Sequence, residues 1–164
     1  MVQTDEKSEE MIRYFERTTY IVNAQAEGLA HADSLLQPQP RGNCFNWVLG
    51  HIVDNRDRAL VMFGETAVLS AEEATLYCRG SKPITDGDTA VPLVRLLTDF
   101  NDQHGRIIAA LGQIGDSRFA EVINAEKGST FGDRLAFLHW HETYHVGQLE
   151  LLRQLAGTDD AIIK

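Results

Sequence analysis

Phe137-Leu138-His139-Trp140-His141-Glu142-Thr143-Tyr144-His145-Val146-Gly147-Gln148-Leu149-Glu150-Leu151-Leu152 decides how the chain is read. At about 100° per residue from His141, Phe137, Leu138, Tyr144, His145, Gln148, Leu149, Leu151, Leu152 and Leu155 fall within about 80° of it. His139, Thr143, Glu150, Arg153 and Gln154 lie on the opposite side. The pattern is a long amphipathic helix with His141, His145 and Gln148 in the middle of its apolar stripe. Polar groups placed there need partners, or they lose their hydration free energy. Imidazoles four residues apart lie about 40° apart around a helix and about 6 Å apart along it. Both can therefore reach one first-row metal ion at about 2.0–2.1 Å. A core histidine bonded to a carbonyl, with a second histidine at a pocket rim, gives the same spacing. Gln148 on the same line favours the metal.

The string also reads as the His-Glu-x-x-His of zinc proteases, with Glu142 as general base. That chemistry needs a third ligand downstream. Gln148 and Leu151 stand where the extended form requires Gly and His. A Glu ligand on a later helix has only nineteen residues after His145 in which to occur, and Glu150 faces away. The protease reading lacks its third ligand.

Upstream, Asn46-Trp47-Val48-Leu49-Gly50-His51-Ile52-Val53 opens another helical stretch. The face of His51 gathers Trp47, Val48, Asn55, Arg58 and Met62, against Leu49, Val53, Leu60 and Phe63 opposite. An aromatic mixed with polar heads suits the lining of a small wet pocket. An ordinary half-buried histidine gives that pattern as well.

Trp47-Val48-Leu49-Gly50-His51, followed about ninety residues later by His141-x-x-x-His145-x-Gly147-Gln148, resembles the DinB/YfiT-like family of small metalloproteins. Chain length and helix order match that family too. The resemblance implies an all-α four-helix bundle of the up-down-down-up type, with a short extra helix between helices two and three. It implies a divalent ion, nickel or zinc, held by His51, His141 and His145. It further implies small-molecule chemistry, such as glutathione-, mycothiol- or bacillithiol-dependent S-transfer or maleylpyruvate-type isomerisation. Nothing in the chain identifies the thiol cofactor.

Three neutral imidazoles leave positions open on the ion, as catalytic sites do. Such an ion acidifies a bound water, deprotonates a coordinated thiol or polarises a carbonyl. The candidate catalytic residues are Gln148, Arg58 and Tyr144, the last as proton donor or packing residue. Asn55 and Arg58, one and two turns after His51, are the candidate cofactor or substrate contacts, and Arg58 suits a carboxylate. The expected function is a metal-dependent small-molecule enzyme, a thiol S-transferase or related hydrolase. A non-catalytic metal-binding sensor or stress bundle is the alternative. His104, centred on the stripe of the third long helix, reads as a core or interface histidine with a local partner, or else as a fourth ligand, a group supporting a ligand or a substrate contact. His31 and His139 read as solvated or interfacial.

At 164 residues and 43% hydrophobic, the chain is long enough for one core, so a single domain over 1–164 is expected. A net charge of −9 argues against nucleic acid, which demands a basic patch. Met1 to Lys7 has no apolar signal region, and no run reaches membrane-spanning length. Cys44 and Cys78, without C-x-x-C spacing, suit a reducing cytoplasm. Cys44 reads as an inert buried thiol or as one stabilised by the first turn of the His51 helix.

Four long helices are expected: Glu9 to Leu36, stopped by Pro38 and Pro40; Asn43 to Phe63, capped by Asn43 and stopped by Gly64; Thr89 to Ile114, with Pro92 in its first turn; and Thr130 to Gly157, with Asp133 completing a capping box. Met11, Phe15, Ile21, Val22, Leu29, Ala32 and Leu36 line the first, and Leu93, Leu97, Phe100, Ile107, Ile108 and Leu111 line the third. A short helix starts at Ser70 with Glu73 at capping-box spacing and ends near Gly80. Gly80 to Thr89 reads as a loop. Ser117 to Ser129 has room for another helical turn, and no stretch alternates as a strand would. Leu49, Val53, Leu60 and Phe63 exceed what one buried face requires, which points to a homodimer.

Overall fold

The computed structural model describes residues 6–85, 89–158 and 162; most of the N-terminal stretch read as having no signal region, and Asp86 to Asp88 of the expected loop, lie outside the described residues. Its elements are α1 (Glu6–Ala26), a 3-10 turn (Asp33–Leu35), α2 (Phe45–Met62), α3 (Ala71–Tyr77), α4 (Leu93–Leu111), α5 (Asp116–Phe119), β1 (Val122–Asn124), β2 (Ser129–Thr130) and α6 (Phe131–Leu155). The all-α expectation holds, with one small addition. β1 and β2 pair antiparallel as a short hairpin, and strands of three and two residues are too short to alternate visibly.

Local chemistry explains where the helices start and stop. Ser70 and Thr130 cap α3 and α6 with reciprocal boxes to Glu73 and Asp133, as their spacing predicts. α1 ends ten residues earlier than expected, because Gly28 takes φ 78° and turns the chain before the prolines are reached. The cap of α2 is Cys44 rather than Asn43, and its side chain makes no capping bond. Pro92 is the residue before α4, where its lack of N–H costs nothing.

Cross-helix bonds fix the topology. α1 runs with α6, since Thr18 meets Glu142 and Arg153 donates to the carbonyl of Gln25. It runs against α4, since Ser8 reaches Ile114, Thr19 reaches His104 and Asn23 reaches Asn101. α2 runs with α4 through Asn46 to Val91 and Gln103 to Asp57. It runs against α6, because Arg56 meets Glu142 while Arg58 and Arg134 share one groove. The result is the up-down-down-up bundle. A parallel α2–α4 pair needs a long crossover, and α3 lies in that crossover, packed on α2.

α2 is buried nearly all round from Phe45 to Asp57. Leu49, Val53 and Leu60, three of the four residues from which a homodimer is expected, are wholly internal. Those three positions belong to the core, and Phe63 is half-buried. The α6 stripe is also rotated from the expected one. Leu135, Leu138, Glu142, His145, Val146, Leu149, Leu152 and Arg153 are buried, whereas Phe137, Tyr144, Leu151 and Leu155 are exposed. Large apolar residues occupy both flanks of this helix, so periodicity alone misplaces its centre. Arg153 and Glu142, expected outside or at the edge, are inside because each finds hydrogen-bond partners there.

Two apolar clusters make up the core. One contains Val22, Leu49, Phe100, Val146 and Leu149; the other contains Phe15, Leu60, Ile107, Phe131 and Leu138. Between them lies a buried polar layer built by all four long helices, from Thr18, Thr19, Arg56, Asp57, Gln103 and Glu142. Arg56 gives Nε to Glu142 Oε2 at 2.9 Å, and Nη2 to Glu142 Oε1 at 2.7 Å and Thr19 Oγ1 at 2.8 Å. Its Nη1 bonds the Phe100 carbonyl at 3.2 Å, and its guanidinium carbon lies 3.8 Å from the Phe100 ring centroid. Thr18 donates to Glu142 Oε1 at 2.5 Å. Burial alone would push the Glu142 carboxyl up, but the Arg56 charge and these hydrogen bonds outweigh it and hold it below the usual range.

Candidate metal centre

His51, His141 and His145 converge as the sequence reading expects. One nitrogen from each ring lies within 4.8 Å of the others. Ring centroids are 4.5 Å apart for His141 and His145, 4.8 Å for His51 and His145, and 5.1 Å for His51 and His141. His51 and His145 are buried, and His141 is half-buried.

The local sequence around His51 is explained by one close approach. A Cβ on Gly50 would stand 2.2 Å from the Tyr77 ring, so only glycine lets α3 settle against α2. Tyr77 is then pinned by its hydroxyl, which donates to Asn46 Oδ1 at 2.9 Å and accepts from the Val91 N–H at 2.9 Å. Its carbonyl takes the Nδ1–H of His51 at 2.6 Å, which leaves the lone pair of His51 on Nε2. Trp47 stacks on His51 at 4.9 Å between centroids and is held by its own Nε1–H to Ser81 Oγ at 2.9 Å. Each residue of Trp-x-x-Gly-His thus helps to aim the imidazole. Gly50→Ala is expected to cost about 1–3 kcal/mol by forcing Tyr77 aside, read as a lowered midpoint in urea unfolding. A midpoint equal to wild type would refute the close-approach argument.

On α6, His145 Nδ1 lies 2.7 Å from Gln148 Oε1, so the amide oxygen takes the Nδ1–H and Nε2 keeps its lone pair. His145 Nε2 and His141 Nε2 are 3.2 Å apart. Two nitrogens bound to one tetrahedral ion at about 2.0–2.1 Å lie about 3.3 Å apart, so the spacing fits a shared cation. Burial pushes all three imidazoles below their ordinary value, His145 to about 4. His141 also feels the positive fields of His51, Arg58, Arg134 and Arg79. The rings are neutral at pH 7, the form that ligates.

The other candidates divide. Gln148 is exposed and acts by orienting His145. Asn55 is buried, with Nδ2 3.4 Å from His51 Nε2 and 2.7 Å from the His51 carbonyl oxygen. Arg58 pairs with Asp54 at 2.8 Å and lines a groove shared with Arg134. Tyr144 is exposed, with its ring edge-on to His145 at 5.1 Å. His104 is half-buried and bonds Thr19 at 3.2 Å, outside the triad. Two histidines correct the sequence reading: His31 accepts from the Leu93 N–H at 3.2 Å, and His139 stacks on Tyr14 at 5.2 Å. Cys44 is fully buried, and burial pushes its thiol up, so no thiolate is stabilised there.

Glu142 settles how the protease-like string is used. Its carboxylate points into the polar layer, where Arg56 and Thr18 occupy it. It is turned away from the position of a general base. Tyr77, Ser81 and Arg56 were not singled out from sequence as site or support residues. Their contributions depend on contacts 26 or more residues away along the chain.

A bundle of this topology with three converging histidines fits a metal-binding protein. The chain belongs to the DinB superfamily, which it matches over residues 14–149. Among solved structures it is similar to a conserved protein from Enterococcus faecalis, at 15% identity and a TM-score of 0.73 over 95% of this chain and 100% of that one. No curated protein matches it. Among the described residues no helix is long and apolar enough to cross a membrane.

Proposed function

We propose that the chain is a metal-dependent small-molecule enzyme that holds one divalent ion, nickel or zinc, on the Nε2 atoms of His51, His141 and His145. The observation that supports this reading best is the commitment of two Nδ1 hydrogens, to the Tyr77 carbonyl and to Gln148, which turns both free lone pairs into one pocket. A bound ion would supply Lewis acidity, lowering the pKa of a coordinated thiol or water. The protein's own part is positional. Tyr77 and Gln148 fix the tautomers, Trp47 shields His51 from water, and the Tyr144 phenol stands beside His145. Three protein ligands would leave further positions on such an ion for a substrate or thiol cofactor.

Thiol S-transfer is the reaction we favour within this class, with hydrolysis as its close relative. The test is turnover of a thiol, glutathione first and then other low-molecular-weight thiols, with chlorodinitrobenzene by nickel- or zinc-loaded protein. The expected result is chloride release that depends on both ion and thiol and is abolished by His145→Ala. Metal binding without turnover of any thiol would overturn the transferase reading and leave the site intact.

A further inference from the structure

Residues of α2, α3, α6 and the β1–β2 hairpin line a groove of about 830 Å³, whose walls include none of the three histidines. Val61, Met62, Leu69, Ala74 and Ile123 give it an apolar wall. Its charged residues are Asp54, Asp57, Arg58, Lys127 and Arg134. Asp57 is spent inside the protein, accepting from the N–H groups of Val68 and Leu69 and from Gln103. Asp54 is spent on Arg58. Among the described residues neither Arg134 nor Lys127 has an ion pair. With Asp54 and Asp57 set against Arg58, Lys127 and Arg134, the groove carries one net positive charge in a chain with 24 acidic and 15 basic residues, and Arg134 and Lys127 are its cations outside an ion pair.

Helix geometry sets their distance from the histidines. Arg134 precedes His141 by seven residues and Arg58 follows His51 by seven. On antiparallel helices these steps carry both cations about 10 Å in the same direction, on the same face as the rings. Phe137 fills the interval, with its ring centroid 5.3 Å from the Arg134 guanidinium carbon and 6.1 Å from the His141 centroid.

We infer that this groove is a binding site for a small organic anion with an apolar body, its charged head on Arg134 and Lys127 and its other end towards the three histidines. The assignment of a reactive end rests on the metal-centre reading, whereas the anion end stands on different residues and is tested without metal. The probe is octanoate, titrated calorimetrically into the metal-free full chain at low salt, with octanamide as the uncharged match. Octanoate is expected to bind about tenfold tighter than octanamide. Arg134→Gln and Lys127→Gln should each erode that preference and together remove it. Arg41→Gln, an exposed cation outside the groove, should leave it unchanged. Equal affinity for the two probes, absence of octanoate binding, or indifference to both groove variants would overturn the inference. His51→Ala should lose metal yet keep octanoate, so the two readings fail separately.

Discussion

Replacing His51 with alanine is expected to weaken divalent-ion binding by about two to three powers of ten while the helical content persists. A structural zinc site with four protein ligands is worth about 10–16 kcal/mol, so each ligand carries about 2.5–4 kcal/mol, and every 1.4 kcal/mol is tenfold. His51 comes from α2 and the other two rings from α6, so the variant separates a three-histidine centre from a local pair on one helix. Competition with a chelating dye at pH 7 measures the change, and His145→Ala should match it. Wild-type affinity in His51→Ala would sink the three-ligand centre. It would leave only the His141–His145 pair on α6 as a local site.

Arg56→Met should destabilise the fold by about 3–5 kcal/mol, because it strands the Glu142 carboxylate in a dry interior. Both side chains of that pair are 1% exposed, so solvent cannot take over the lost partner. Folded domains hold only about 5–15 kcal/mol in reserve, so the single variant stands near the edge of unfolding. The double variant Arg56→Met, Glu142→Leu removes both charges and is expected to recover most of the loss. Urea midpoints for the three proteins check this. A single variant that loses less than about 1 kcal/mol would show that the pair does not hold the layer together.

The fold was legible where local rules act. The capping boxes at Ser70 and Thr130 place two helix starts to the residue, and the two histidine motifs find the triad. Legibility failed where a residue's state depends on a distant partner. Glu142 looked peripheral because a carboxylate disfavours burial, and the guanidinium that reverses the preference lies 86 residues away. The orientation of His51 depends on the backbone carbonyl of Tyr77, a group every residue type carries and no motif can mark. α6 was rotated in the sequence reading because Phe137, Tyr144, Leu151 and Leu155 are as greasy as the residues it buries. The end of α1 was misjudged because a single left-handed glycine stops a helix as firmly as two prolines.

Glu142 sits between His141 and His145, so the clamp on its carboxylate also keys the last helix like a shaft in a slot. Sliding that helix by one turn, or rolling it by one residue, would set a bare negative charge against hydrocarbon. The aim of both imidazoles is thereby decided in the middle of the bundle, before any ion arrives. Damage to Thr18 or Arg56 is therefore expected to displace the two rings as well as to weaken the fold.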